Sequence, residues 1–151
     1  MYARKLIALS ASVVLAFSLS ACNRESSGTS ADGGSADGSI TLALSAQTNP
    51  FFVQLRDGAQ EKADELGVTL NVQDASDDAA TQANQLNNAV TTGTGVVIVN
   101  PTDSDAVVPS VEALNQADIP VVAVDRSSNG GEVASFVASD NVAGSAQAAA
   151  A

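Results

Sequence analysis

Residues 94–101, Thr-Gly-Val-Val-Ile-Val-Asn-Pro, decide the fold class of this chain. Residues 96–99 form an unbroken run of β-branched side chains, which is typical of a strand buried on both faces of a parallel sheet. Asn100 and Pro101 end the strand, because proline cannot donate to a ladder of backbone hydrogen bonds. On either side, short apolar runs alternate with longer amphipathic segments.

This alternation predicts five strands and the helices that connect them. Strands of 4–8 residues separated by helices of 10–15 residues indicate right-handed βαβ units, and therefore an α/β fold with a doubly wound parallel sheet. The predicted strands are 40–46, 68–72, 96–99, 120–124 and 133–138; the predicted helices are 50–66, a second that starts near 74–78 and breaks at Gly93, and 104–117.

Apolar residues at helical spacing predict the buried face of each helix. Asn49 and Pro50 are typical of a helix start, and Gly67 of a helix end. The predicted inward residues are Phe52, Leu55, Ala59, Ala63 and Leu66 in the first helix, Ala79, Ala83, Leu86 and Val90 in the second, and Val107, Val111 and Leu114 in the third.

Composition excludes several classes of function. The 151 residues carry a net charge of −11, so binding to the phosphates of a nucleic acid is not expected. The sequence has no histidine, which removes Ser-His-Asp catalysis and histidine-ligated metals. Neither a glycine-rich dinucleotide loop nor a P-loop is present. We therefore expect no cofactor and no metal.

The N-terminus has the pattern of an export signal. Arg4 and Lys5 precede an apolar run, 6–19, that is too short to span a bilayer comfortably. The following Leu-Ser-Ala-Cys resembles the lipobox of bacterial lipoproteins, which implies cleavage after residue 21 and lipidation of Cys22. The alternatives are an ordinary secretory signal with a free cysteine or a buried core segment. Residues 22–39, rich in Ser, Gly and Asp, are predicted to be a flexible linker.

In doubly wound folds, ligands bind beyond the carboxyl ends of the strands. This rule selects three loops, 45–52, 100–105 and 125–128. Asp103 and Asp105 in the second loop are expected to start a helix rather than to bind a ligand.

These loops resemble those of the ribose-binding proteins. The resemblance rests on Ser-Ala-Gln-Thr-Asn-Pro-Phe-Phe at 45–52, Asn-Pro-Thr-Asp-Ser-Asp-Ala at 100–106, the Asp125-Arg126 pair after Ile-Pro-Val-Val, and Ala-Ser-Asp-Asn at 138–141. It implies that residues 40–138 are the N-terminal lobe of a two-lobed, periplasmic-binding-protein-like fold. Residues 139–151 would then be the first crossover and the opening of a second lobe that this chain lacks.

The resemblance also implies a sugar site. Aromatic faces would cover the apolar C–H face of a sugar ring, a carboxylate would accept from adjacent hydroxyls, and a guanidinium would donate in a planar fork. The implied sugar-binding residues are Ser45, Asn49, Phe51, Phe52, Asp125 and Arg126.

Simpler interpretations of these residues stay open. Asn49 can merely cap the first helix, and Phe52 can be a core residue of that helix. Asp125 and Arg126 can be a solvated surface pair. However, Arg126 is the only basic residue after Lys62, and it follows a predicted strand.

The expected function is that of a substrate-binding lipoprotein of a sugar ABC importer, anchored on the outer face of the cytoplasmic membrane, and not that of an enzyme. Its expected partners are a monosaccharide, with ribose favoured, the ABC permease, and the membrane through Cys22; the full-length protein is expected to be monomeric. Allose, galactose, xylose and an autoinducer sugar are alternative ligands, and an α/β enzyme is an alternative class. A sugar-responsive repressor would begin with a basic helix-turn-helix, whereas this chain begins with an export signal.

Overall fold

The computed structural model describes residues 37–150, so Cys22, the predicted signal and most of the predicted linker lie outside it. Within this range the first four strands alternate with helices, and the fifth strand follows the fourth with no helix between them, as the apolar runs predict. The elements are β1 (Asp37–Leu44), α1 (Pro50–Leu66), β2 (Thr69–Asp74), α2 (Ala79–Thr92), β3 (Thr94–Val99), α3 (Val108–Gln116), β4 (Val121–Val124), β5 (Ser135–Val137) and α4 (Asn141–Ala149).

The five strands form one sheet in the order β2-β1-β3-β4-β5, and every pair is parallel. The predicted doubly wound parallel α/β fold is confirmed. The chain moves outward from β1 to β2 and then back past β1 to β3. Because right-handed crossovers in opposite directions lie on opposite faces, α1 covers one face of the sheet, and α2 and α3 cover the other.

The main core lies under α2 and α3. Its buried side chains come from both helices, from the segments that flank α3, and from alternate positions of the central strands, as a two-residue strand period requires. They are Ala43, Leu86, Ala89, Val97, Val99, Val107, Val111, Leu114, Ile119 and Val121. All the predicted inward residues of the third helix belong to this cluster.

Local signals define the ends of the helices. The side chain of Asn49 accepts a hydrogen bond from the N–H of Phe51, and Asp78 does the same for Thr81 at the start of α2. Gly67 and Gly93 end α1 and α2 with positive φ angles of 67° and 70°. These are the positions where glycine avoids the steric cost of a left-handed conformation.

Three sequence predictions need correction. Leu66 is 62% exposed, because α1 packs on the edge strand β2 and buries only Ala63 fully. Strand β3 is not fully buried on both faces: Val97 and Val99 are buried, whereas the α1-side residues Val96 and Ile98 are half-exposed. Helix α3 begins at Val108 rather than at 104, because residues 104–107 form turns.

The strand boundaries also shift by a few residues. Strand β1 begins at Asp37, so the last residues of the predicted linker pair with β2 and β3. None of the helices described within residues 37–150 has the length and apolar character needed to cross a membrane.

Candidate functional site: the cleft at the carboxyl ends of β1, β3 and β4

The strand register aligns the loops selected from the sequence. Ala43 pairs with Val99, and Val99 pairs with Ala123. Since the strands run parallel, the residues that follow these three positions emerge at one edge of the sheet. The loops after β1, β3 and β4 therefore meet there.

They enclose an open cleft of about 330 Å³. Five of the six predicted sugar-binding residues line it, together with residues of the β2–α2 and β3–α3 loops. The lining residues are Ser45, Asn49, Phe52, Asp77, Asn100, Pro101, Thr102, Asp125 and Arg126.

Phe51 lies in a neighbouring hollow of about 230 Å³ that shares Asp125 with the cleft. The rings of Phe51 and Phe52 meet edge to face, with centroids 5.2 Å apart and an interplanar angle of 74°. Phe51 is 47% exposed, and Phe52 is half-buried. Only Phe52 faces the cleft itself, so the two rings do not present a common stacking surface.

Asn49 serves as a helix cap and also lines the cleft. Its Oδ1 accepts from the N–H of Phe51 at 2.9 Å. Its Nδ2 makes no hydrogen bond within residues 37–150. The cap therefore uses only the oxygen of this side chain, which leaves its amide N–H groups free to donate.

Asp125 and Arg126 are both exposed, but they do not pair with each other. Asp125 has a φ of 63°, a conformation that costs a non-glycine residue free energy, and its N–H donates to the carbonyl of Val137 at 2.8 Å. Arg126 donates from Nη1 to the carbonyl oxygens of Pro101 and Thr102. The backbone therefore holds the two side chains side by side at the rim of the cleft.

Beneath them lies Asn100, which is 2% exposed. Its Oδ1 accepts from the hydroxyl of Ser45 at 2.6 Å, and its Nδ2 donates to the carbonyl of Val124 at 3.1 Å and to Oδ2 of Asp125 at 3.4 Å. A buried amide with satisfied donors and acceptors rigidifies its surroundings. Asn100 thus ties the ends of β1, β3 and β4 together.

The charge distribution of the cleft is mixed. Asp103, beside the cleft, accepts from the N–H groups of Ala106 and Asp105, and these bonds lower the pKa of its carboxyl below the usual 3.8; Arg126 lowers it further through its positive charge. Within residues 37–150 no group of three acidic or cysteine side chains is placed to hold a metal ion. The site therefore combines hydrogen-bonding groups of both polarities with one aromatic face.

Sequence reasoning missed Asp77, Asn100 and Gln82. Asp77 follows β2 at the same sheet edge, so the strand-end rule could have found it. Asn100 follows the most apolar strand directly. Gln82 is a polar residue on the apolar face of α2, between Ala79 and Leu86, and this position is itself a signal of a buried polar contact.

A comparison with protein families decides the classification. A family model described as a periplasmic binding protein domain matches residues 40–151. The chain belongs to this family. The ribose import binding protein RbsB of Escherichia coli (strain K12) is 48% identical over 105 residues, which cover 70% of this chain and 36% of that protein. The RbsB of Haemophilus influenzae is 40% identical over 141 residues, 93% of this chain and 44% of that protein.

The fold is also found among solved periplasmic binding proteins. The crystal structure of a Caulobacter myo-inositol binding protein bound to myo-inositol superposes with a TM-score of 0.69 and 34% identity, covering 77% of this chain and 40% of that one. The chain therefore spans less than half the length of these relatives.

Proposed function

We propose that this chain is the N-terminal lobe of a substrate-binding protein of a sugar ABC importer, and that its cleft contacts a monosaccharide, with ribose favoured. The observation that carries this proposal is the meeting of Asn49, Phe52, Asp125 and Arg126 in one cleft at the sheet edge. The 48% identity to a ribose import binding protein supports the choice of ligand.

The chemistry of these groups suits a sugar. Phe52 offers an apolar face to the C–H groups of the ring, while the free N–H groups of Asn49 and the guanidinium of Arg126 donate to hydroxyl oxygens. The carboxylate of Asp125 accepts from hydroxyls. The set is therefore complementary to a sugar ring, whose hydroxyls both donate and accept hydrogen bonds. The proposed role is capture and delivery to a permease, with no bond made or broken.

A titration with ribose tests the proposal on this chain. A pocket that binds a small ligand tightly encloses roughly 70–90% of its surface, whereas this cleft is open. We therefore expect binding no tighter than about 1 mM, or about 4 kcal/mol. In NMR spectra, ribose should shift the signals of Asn49, Asp125 and Arg126, and allose, galactose and xylose should shift them less.

Three outcomes would count against this proposal. Absence of shifts at these residues with every sugar would refute a sugar site, and larger shifts with another sugar would refute ribose. Micromolar binding by the monomer would contradict the expectation that one lobe leaves the sugar half in water.

The proposal includes export and lipid anchoring at Cys22, outside the described residues. It is supported by the order of Arg4 and Lys5, the apolar run and the Leu-Ser-Ala-Cys sequence. A diacylglyceryl group carries two acyl chains, enough for stable anchoring. Expressed in a bacterium with a radiolabelled fatty acid, the chain should be labelled and membrane-bound, and Cys22→Ala should be unlabelled. Unchanged labelling of Cys22→Ala would contradict lipidation at this residue.

A further inference from the structure

Gln82 is a polar side chain in the buried face of α2. Only 2% of it is exposed, and Leu86, one turn further along the helix, is fully buried. Burial of an amide is unfavourable unless its donor and its acceptor are both paired. The partners of Gln82 therefore determine what this residue does.

Both ends of the amide bind the backbone after β3. Nε2 donates to the carbonyl of Asn100 at 2.9 Å, and Oε1 accepts from the N–H of Thr102 at 2.9 Å and from its hydroxyl at 3.2 Å. The side chain thus holds the segment 100–102 in the way that a neighbouring strand would hold it. Gln82 itself does not line the cleft.

The other side of this segment supports the residues of the cleft. The carbonyl groups of Pro101 and Thr102 accept from Nη1 of Arg126, and the side chain of Asn100 donates to Asp125. A displacement of the segment 100–102 would therefore move the acceptors of Arg126 and the donor to Asp125 together.

We propose that Gln82 is a positioning residue of the cleft: by fixing the backbone of residues 100–102 it orients Arg126 and Asp125 for the ligand. This inference rests on the proposed function for the identity of the ligand. The ordering of Arg126 is nevertheless a property of the ligand-free protein and can be measured without sugar.

The test compares three variants. Gln82→Met keeps the length of the side chain and removes all of its hydrogen bonds to the segment. Gln82→Glu keeps the acceptor for Thr102, but it replaces the donor to Asn100 by a carboxyl oxygen that faces the buried carbonyl group. Gln85→Met is the matched control, because Gln85 lies on the same helix and donates from Nε2 to the carbonyl of Asp74, and neither residue lines the cleft.

In Gln82→Met we expect hydrogen exchange at the N–H of Thr102 to rise about tenfold and the NMR order parameter of the Arg126 side chain to fall. The ribose dissociation constant should rise about three- to tenfold, the range for loss of a typical hydrogen bond. Gln82→Glu should also lower the order of Arg126, and Gln85→Met should match the unsubstituted protein in both measurements.

If exchange at Thr102 is faster in Gln82→Met but the order of Arg126 is unchanged, the proposal is overturned. Gln82 would then be a purely structural residue. If Gln82→Met does not fold, Gln82→Glu decides: an order of Arg126 equal to that of the unsubstituted protein, together with faster exchange at Thr102, would overturn the proposal. If the unsubstituted protein binds no sugar, only the proposed function is refuted. The order of Arg126 in the variants would still show whether Gln82 positions this side chain.

Discussion

The hydroxyl of Ser45 donates a hydrogen bond to Oδ1 of Asn100 at 2.6 Å, and this bond joins the carboxyl ends of β1 and β3. Ser45 is 8% exposed and Asn100 is 2% exposed, so solvent competes little for this bond. Ser45 was predicted to line the sugar site, and it does line the cleft. Its proton is directed inward to Asn100, however, which leaves only its oxygen lone pairs for a ligand.

Substitution Ser45→Ala should therefore act mainly on stability. It removes the best donor to a buried amide oxygen, so the free energy of unfolding should fall by about 1 kcal/mol. Urea denaturation monitored by circular dichroism measures the change. The control is Ser135→Ala, an exposed serine of β5 for which a change within about 0.5 kcal/mol is expected. Equal effects of the two substitutions would contradict the role of the Ser45–Asn100 bond.

Substitution Arg126→Ala should weaken sugar binding at least about tenfold, because a hydrogen bond to a charged group contributes about 1.5–3 kcal/mol. Arg126 itself is exposed, and Thr102, one of its two backbone acceptors, is only half-buried, so the stability should change less than the affinity. Calorimetry or NMR titration with ribose provides the measurement. Lys62→Ala is the matched control: it removes the same charge, from an exposed pair with Glu65 on α1. An unchanged ribose affinity in Arg126→Ala would remove this residue from the site.

The sequence predicts the fold well because local signals suffice for it. The β-branched run at 96–99, the caps at Asn49 and Asp78, and the glycines at 67 and 93 each specify a local conformation. Together with the handedness of crossovers, these elements predict a doubly wound parallel sheet. Periodicity does not tell how far a sheet extends beneath a helix, and for this reason the prediction for Leu66 is wrong.

The cleft was predicted less completely than the fold. The strand-end rule selects the loops that enclose the cleft, and five of the six implied residues line it. The division of Phe51 and Phe52 between two hollows depends on the rotation of α1, and the φ of 63° at Asp125 depends on tertiary contacts. Neither feature has a signal in the local sequence. The buried network of Gln82 and Asn100 joins residues 18 positions apart, which only the folded chain brings together.

Gly131 provides a test of packing between the β4–β5 loop and α3. Its φ is 74°, and a Cβ added there would lie 2.6 Å from Cγ1 of the fully buried Val111. Gly131→Ala should combine backbone strain with a steric clash and lower the free energy of unfolding by about 2–4 kcal/mol. Gly58→Ala is the control, because Gly58 lies within α1 with open space around the added Cβ. That variant should be about 0.5–1 kcal/mol more stable. Similar losses in the two variants would contradict this account.

The stability of the chain should fall in acid partly through Asp78 and Asp103. Hydrogen bonds from the side chain and backbone of Thr81 lower the pKa of Asp78 below 3.8, and the N–H groups of Ala106 and Asp105 lower that of Asp103. A carboxyl with a lowered pKa in the folded state binds fewer protons there than in the unfolded chain. Its stabilising effect is therefore present above the unfolded pKa and is lost as the pH falls through the folded pKa.

The variants Asp78→Asn and Asp103→Asn separate this effect from the general acid sensitivity of a chain with 17 acidic residues. Asparagine can accept the same backbone hydrogen bonds but does not titrate. Each variant should lose less stability than the unsubstituted protein between about pH 6 and pH 3, measured by urea denaturation at each pH. Asp118→Asn is the control, because Asp118 is exposed and its carboxylate forms no hydrogen bond within residues 37–150. Parallel pH curves for all four proteins would show that the hydrogen bonds to Asp78 and Asp103 do not contribute to the acid dependence.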